Sequence, residues 1–229
     1  MQRLIFILSF GLSTLGVMAD TIHIAPGNNT LYTAVNQSKA HDVIVLSDGQ
    51  YAEANKIAIS HPLTICAAPS ATPILQMKSR IEVSATLCLQ GVSLEAMGAA
   101  EAIRMVPAPN LYSLRLRCST LKGFSSKTIR LYNTDQSAAY VDSLIIDDCL
   151  FLPSAGRCLE ASVANKQVQH LLIKNSTFDG GSNGVGRLIY FNSEEGTTVE
   201  SATIDHCTFY NAQDTRGIYL GNVDGAQVS

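Results

Sequence analysis

One eight-residue pattern occurs five times in this chain, and it restricts the fold more than any other feature. It reads Leu87-Cys88-Leu89-Gln90-Gly91-Val92-Ser93-Leu94 in its first copy and Leu114-Arg115-Leu116-Arg117-Cys118-Ser119-Thr120-Leu121 in its second. It returns as Leu144-Ile145-Ile146-Asp147-Asp148-Cys149-Leu150-Phe151, as Leu171-Leu172-Ile173-Lys174-Asn175-Ser176-Thr177-Phe178, and as Ala202-Thr203-Ile204-Asp205-His206-Cys207-Thr208-Phe209. Successive copies are 27, 30, 27 and 31 residues apart. Positions one and three are apolar and alternate as in a strand. Positions six and eight are core-like too, so the parity shifts and the chain must bend at four and five. Gly91, Asp148 and Asn175 at position five suit that bend, because Gly, Asn and Asp tolerate left-handed dihedrals.

A second, shorter motif lies between the copies. It reads Glu101-Ala102-Ile103-Arg104-Met105, Lys127-Thr128-Ile129-Arg130-Leu131, Arg157-Cys158-Leu159-Glu160-Ala161, Arg187-Leu188-Ile189-Tyr190-Phe191 and Arg216-Gly217-Ile218-Tyr219-Leu220. Each period therefore holds at least two strands and no helical pattern. Such a period means stacked coils, each unable to bury its apolar face alone and dependent on its neighbours. The fold class expected is all-β, a right-handed parallel β-helix of about seven or eight coils over residues 20–229. Ahead of the repeats, Thr21-Ile22-His23-Ile24 and Asp42-Val43-Ile44-Val45-Leu46 read as strands. Between them Thr30 can cap a short helix, with Leu31, Ala34 and Val35 on one face, that covers the first coil. At the other end, Gly225-Ala226-Gln227-Val228-Ser229 reads as the lead-in to a sixth copy. The expectation there is a longer protein, or a partner that covers the open end.

Residues 1–19 have the character of an export signal: Arg3, an apolar run from Leu4 onward, and the small-residue site Val17-Met18-Ala19. Cleavage after Ala19 and a secreted, periplasmic or cell-surface location are expected, with no membrane span once the signal is removed. Charged residues are 15% of the chain and the net charge is −3, which argues against nucleic acid as a partner. Six cysteines occur without a CxxC pair. Cys149 and Cys207 share position six two copies apart, roughly 10 Å at a strand spacing of about 4.8 Å, too far for a disulfide. They read as small buried side chains.

From Thr21 through Leu31-Tyr32-Thr33-Ala34-Val35 to Asp42-Val43-Ile44-Val45-Leu46-Ser47-Asp48-Gly49-Gln50-Tyr51, and on to Ile57-Ala58-Ile59-Ser60-His61-Pro62-Leu63-Thr64-Ile65, the chain resembles the opening of exported pectin-lyase-like β-helices. It is most similar to chondroitinase-B/alginate-lyase-like proteins and to uncharacterised exported bacterial β-helix proteins, which the later copies resemble more. One departure is Ala40-His41-Asp42, where that superfamily usually has a Pro-Gly-Asp turn. The resemblance implies a carbohydrate-active protein acting on or binding acidic polysaccharide by polysaccharide-lyase-like β-elimination, with Lys or Arg abstracting a proton beside a uronate carboxylate and Ca²⁺ often neutralising it. Glu101-Ala102-Ile103-Arg104 resembles a Glu-x-Ile-Arg segment of the chondroitinase-B-like enzymes. Carried over, Glu101 is a metal candidate and Arg104 a catalytic one.

Two charged columns follow from the stacking. Position four reads Gln90, Arg117, Asp147, Lys174, Asp205. It is either a saccharide cleft, with Arg117 or Lys174 as base and Asp147 and Asp205 holding Ca²⁺, or a ladder of opposite charges that pair on adjacent strands. The second column is Lys127, Arg157, Arg187 and Arg216, at the corner before the shorter strand. Like charges one strand apart require compensation, from Glu160, Glu194, Glu195 or Asp214 or from an anionic ligand. The outward Arg104, Arg130, Glu160, Tyr190 and Tyr219 lie close by, and Tyr190 and Tyr219 beside arginine suit sugar stacking and carboxylate binding. The alternative is an arginine that holds corner carbonyls. His170 and His206 lack a Ser, Cys or Asp partner at telling spacing. No complete catalytic constellation emerges, so a non-catalytic surface or adhesion module binding glycan or protein stands as the alternative function.

Overall fold

The structure, a computed structural model, describes residues 19–132, 139–162, 168–181, 188–192, 198–212 and 217–229. Each coil contributes one strand to each of three parallel sheets. The first sheet has nine strands, from Thr21–Ile24 to Val223–Val228. The second has seven, from Gln50–Glu53 to Thr208–Tyr210, and the third has seven, from Ile57–Ile59 to Ile218–Leu220. The chain thus makes seven three-strand turns of a right-handed parallel β-helix. Positions one to four of the repeat lie in the first sheet and positions seven and eight enter the second. The shorter motif builds the third.

The bend between the first two sheets falls at position five in every copy. Gly91, Cys118, Asp148, Asn175 and His206 have φ of 69°, 47°, 53°, 50° and 50°. A left-handed L-residue costs about 1–2 kcal/mol, and position six offsets part of that. Ser119 and Ser176 donate through Oγ to the carbonyls of Arg117 and Lys174, at 2.8 and 2.7 Å. Cys149 and Cys207 donate through Sγ to Asp147 and Asp205, at 3.4 and 3.2 Å. Ser119 and Ser176 also accept the backbone N–H of Val92 and Cys149 in the preceding coil. Position six is therefore small because it must turn back onto its own bend. All six cysteines are free. Burial pushes the thiols of Cys149 and Cys158 up to about 12.

Like side chains stack on like along the axis. Leu87, Leu114, Leu144 and Leu171 occupy successive rungs of the first sheet, and Phe151, Phe178 and Phe209 stack at 4.6 and 4.9 Å in the second. The first four rungs named are buried, and this continuous apolar column is the core. At the far end Ala226 and Val228 pair with Ala202 and Ile204, so a sixth copy does begin in register.

Over the first coil sits the helix Thr30–Gln37, with Leu31, Ala34 and Val35 buried as the pattern predicts. Its cap differs from expectation. The N-cap is Asn29, at φ 53°, and Thr30 is already helical with its hydroxyl unpartnered. The helix start is bound instead by the inward-facing Glu53, whose carboxylate accepts the N–H of Leu31 at 2.9 Å and of Tyr32 at 3.2 Å. An anion at a helix N-terminus is favourable, and here it comes from 22 residues downstream, beyond the reach of a local capping rule.

The departure at Ala40-His41-Asp42 is a conformational one. His41 is exposed and holds φ 73°, the left-handed region that glycine favours. Asp42 fixes the turn by accepting the N–H of Asp20 at 2.9 Å and of Lys39 at 2.7 Å. Replacing His41 with glycine removes the strain but loosens the unfolded chain, for a net gain of about 0.5–1 kcal/mol. The His41→Gly variant should melt about 2–3 °C above the parent in a thermal scan. A lower melting temperature would show that the imidazole holds the turn.

Candidate functional site

The outer face of the third sheet gathers the shorter motif into one charged strip. Its strand column runs Glu82, Arg104, Arg130, Glu160, Tyr190, Tyr219, one residue per rung. At the column's start Glu82 pairs with Lys56 at 2.7 Å and with Arg80 at 3.1 Å. One rung on, Glu101 at the corner takes two nitrogens of the Arg104 guanidinium, Nε to Oε2 at 2.8 Å and Nη2 to Oε1 at 2.9 Å. Arg130 adds a third bond to Oε1 at 3.1 Å. Glu101 and Arg104 are each only 5% exposed. Burial alone would raise the Glu101 carboxyl; the hydrogen bonds and positive charge of Arg104 and Arg130 outweigh it and hold the group below the usual carboxylate range.

The next cluster is centred on Glu160, 3% exposed. Its Oε1 accepts from the Tyr132 hydroxyl at 2.6 Å and from Ser162 Oγ at 3.1 Å. Lys127 lies 3.8 Å from Oε1, and Arg157 lies 2.9 Å from Oε2. Lys127 and Arg157 thus receive the compensation that stacked like charges require, with Glu160 as its source. Arg157 also lies 4.1 Å over the Tyr190 ring, Arg130 lies 3.9 Å over Tyr132, and Tyr190 stacks on Tyr219 at 5.2 Å. Lys127, Arg157 and Glu160 line an open cleft of about 340 Å³ with Ser125, Ser126, Ala155 and Gly156. A smaller cleft of about 160 Å³ lies between Lys78, Ser79, Arg80, Ala100, Glu101 and Arg104. Across these clusters seven cations face three carboxylates, in a chain whose net charge is −3. Arg187, Arg216, Glu194, Glu195 and Asp214 lie outside the described residues.

The remaining candidates lie on a different sheet. Gln90, Arg117, Asp147, Lys174 and Asp205 occupy successive rungs of the first sheet. Asp147 Oδ2 is 3.8 Å from Arg117 and 3.4 Å from Lys174, and Oδ1 accepts from Asn175 at 3.1 Å. Asp205 accepts from Ser229 Oγ at 2.7 Å and sits 2.6 Å from His206; these bonds hold its carboxyl below the usual range. This is an alternating ladder, and such exposed pairs contribute about 0–1 kcal/mol each. His170 does have a serine beside it: the register sets Ser201 one rung on, 2.9 Å from Nδ1. Arg104 and Glu101 therefore share a face with Lys127, Arg157, Tyr190 and Tyr219, while Arg117, Lys174, Asp147 and Asp205 do not.

Several site residues were not singled out from the sequence. Ile57-Ala58-Ile59 and Arg80-Ile81-Glu82-Val83 carry the shorter motif's alternation, and that signal extends the strip two coils toward the N-terminus. Tyr132 carried no signal, since its role depends on a carboxylate 28 residues away.

No protein-family model matches the sequence, and no curated protein matches it. Solved structures do. The PL6 family alginate lyase AlyGC is similar over 92% of this chain and 39% of its own, with a TM-score of 0.58 and 18% identity. A single-site mutant of that enzyme is similar over 100% of this chain and 41% of its own, with a TM-score of 0.60 and 18% identity. The likeness is one of fold, a parallel β-helix, and this chain spans about two fifths of the length of the enzyme it matches.

The described carboxylates do not fit a calcium site in this β-helix. Ca²⁺ takes about six to eight oxygens. Both oxygens of Glu101 are bound by arginine, and Lys174 lies on the rung between Asp147 and Asp205. Among the described residues, no three His, Cys, Asp or Glu side chains converge.

Glu101 also sets an acid limit to the fold. Its carboxyl is depressed in the folded state, so its contribution is complete above the ordinary value of 4.5 and is lost as pH falls through the folded value. Glu101→Gln leaves Arg104 buried without its counter-charge, a loss of about 3–5 kcal/mol. At neutral pH the variant should melt roughly 10 °C lower. Below pH 4.5 the two proteins should converge, and melting curves across pH measure both.

Proposed function

We propose that this is an exported, carbohydrate-active β-helix that takes acidic polysaccharide along the outer face of the third sheet. The observation that carries the reading is the cationic excess of that strip in a chain of net charge −3, with Lys127 and Arg157 about 28% and 32% exposed at its rim. Arginine binds planar carboxylates through a fork of donors, and the stacked Tyr190 and Tyr219 offer an aromatic surface to a sugar ring on the same face. The apolar run in residues 1–19 supports export to a compartment where such polymers occur. Among the described residues, no helix is long and apolar enough to cross a membrane.

The reaction class of this reading is β-elimination, supported by the likeness to an alginate lyase structure. In that reaction a cation neutralises the uronate carboxylate, a base takes the adjacent ring proton, and the electron pair forms a C=C bond as the glycosidic oxygen departs. In this reading Arg157 neutralises the carboxylate, and Lys127 at the same rim takes the ring proton after giving up its own to solvent. Arg104, bound bidentately by Glu101, acts as a buried strut, and Glu101 also ties Arg130 to the corner. One observation favours a second reading, binding without cleavage: Arg104, Arg117, Lys174, Lys127 and Arg157 each already sit in an ion pair.

Incubation of the full chain with alginate, pectate and chondroitin sulfate separates the two. Under the first reading, ultraviolet absorbance from unsaturated uronate ends rises with at least one polymer, and Lys127→Ala abolishes the rise. Retention of the polymer without any rise supports the second. Neither retention nor product from any of the three overturns both.

A further inference from the structure

The smaller cleft of the strip holds donors that the fold leaves unused. It is formed by the corner turn Lys78-Ser79-Arg80 against Ala100, Glu101 and Arg104. Lys78 is exposed and makes no ion pair among the described residues. Ser79 Oγ has no hydrogen-bond partner among them, and it is not one of the chain's enclosed polar atoms. Arg80 gives Nη2 to Glu82 at 3.1 Å, and its Nε is enclosed, which leaves Nη1 as the accessible nitrogen of a side chain 29% exposed. In the larger cleft, by contrast, Lys127 and Arg157 are both committed to Glu160.

The floor of the smaller cleft does not repel an anion. Both oxygens of Glu101 are bound by Arg104 and Arg130, and Glu82 is bound by Lys56 and Arg80. Five cations, Lys56, Lys78, Arg80, Arg104 and Arg130, stand against those two carboxylates. At about 160 Å³ the space falls below the roughly 300–1,000 Å³ of sites that enclose a whole ligand, so it takes one substituent group and not a buried sugar ring. The donor set selects the group. Arginine reads a planar carboxylate by two parallel bonds from one fork, and Arg80 has only one arm left. Three separate donors on consecutive residues suit a group with three terminal oxygens.

The geometry points to a subsite for a tetrahedral oxyanion ester, a sulfate or phosphate monoester, held by Lys78 Nζ, Ser79 Oγ and Arg80 Nη1. It rests on the acidic-polysaccharide reading and adds a second kind of charge to the polymer. The smaller cleft lies between the corners that lead into Ile81–Val83 and Ile103–Met105, and the larger between those that lead into Ile129–Arg130 and Leu159–Ala161. The clefts are thus two rungs apart, roughly 10 Å at about 4.8 Å per rung, about the length of two sugar rings. One chain along the strip can present a carboxylate to Arg157 and an ester group to the Lys78 turn.

The test compares retention of the full chain on three immobilised polymers matched in total charge: polyuronate, sulfated polyuronate and phosphorylated polyuronate. An ester-bearing polymer should be retained about tenfold more strongly than plain polyuronate, the worth of one charge-assisted hydrogen bond, and the stronger of the two identifies the ester. Ser79→Ala removes a donor without changing charge and should cut that preference to about threefold. Lys78→Ala should bring it close to parity. Both side chains reach the surface, so neither change opens a cavity in the core. Equal retention of all three polymers by the parent overturns the inference and leaves the acidic-polysaccharide reading standing. A preference that survives both substitutions unchanged also overturns it. No retention of any of the three overturns the underlying reading as well.

Discussion

Everything in this molecule depends on the parallel ladder that holds each coil on the next. The backbone bonds fix neighbouring strands about 4.8 Å apart and in register, so a residue at a given position lies directly over its counterpart one coil earlier. Inside, that superposition is favourable: leucine stacks on leucine and phenylalanine on phenylalanine. Outside, the same rule makes charge dangerous, because like groups are forced into adjacency. The molecule uses two remedies. On the first sheet the sign alternates from rung to rung through Arg117, Asp147 and Lys174. On the third sheet, like-charged neighbours stand together at Arg104 and Arg130, and at Lys127 and Arg157, and buried glutamates bridge them.

Those two remedies differ in what they leave available. An alternating ladder consumes its own charge, since each group is neutralised by the rungs above and below. A bridging glutamate beneath a pair of cations satisfies the inner side of each and leaves the outer side toward solvent. Among the described residues, the third sheet thus carries cations at Lys127 and Arg157 that are paired on their inner side and partly exposed on their outer side.

The repeat made the architecture legible because a stacked coil states its own register. The bend at position five was readable from Gly91, Asp148, Asn175 and His206, and the structure extends it to Cys118, which adopts the same left-handed backbone without the usual residue type. The outward column Arg104, Arg130, Glu160, Tyr190, Tyr219 was likewise readable from spacing alone. What spacing could not show was depth. Glu101 and Arg157 open equivalent copies of the shorter motif, yet Glu101 is buried against Arg104 and Arg157 stands at a cleft rim. Glu53 capping a helix 22 residues earlier and Tyr132 holding Glu160 are contacts between coils. They depend on side-chain direction at corners, where the period varies and alternation gives no guide.

The alternating ladder of the first sheet has an evolutionary consequence. Solenoids grow and shrink by whole coils. Removing the coil that carries Asp147 would set Arg117 against Lys174, and removing the one that carries Lys174 would set Asp147 against Asp205. Duplicating any one of these coils would place identical charges on neighbouring rungs. Each such change exchanges a favourable pair for a repulsive one, a penalty of about 0–1 kcal/mol per exposed pair, so the interior of this ladder favours changes of two coils over changes of one.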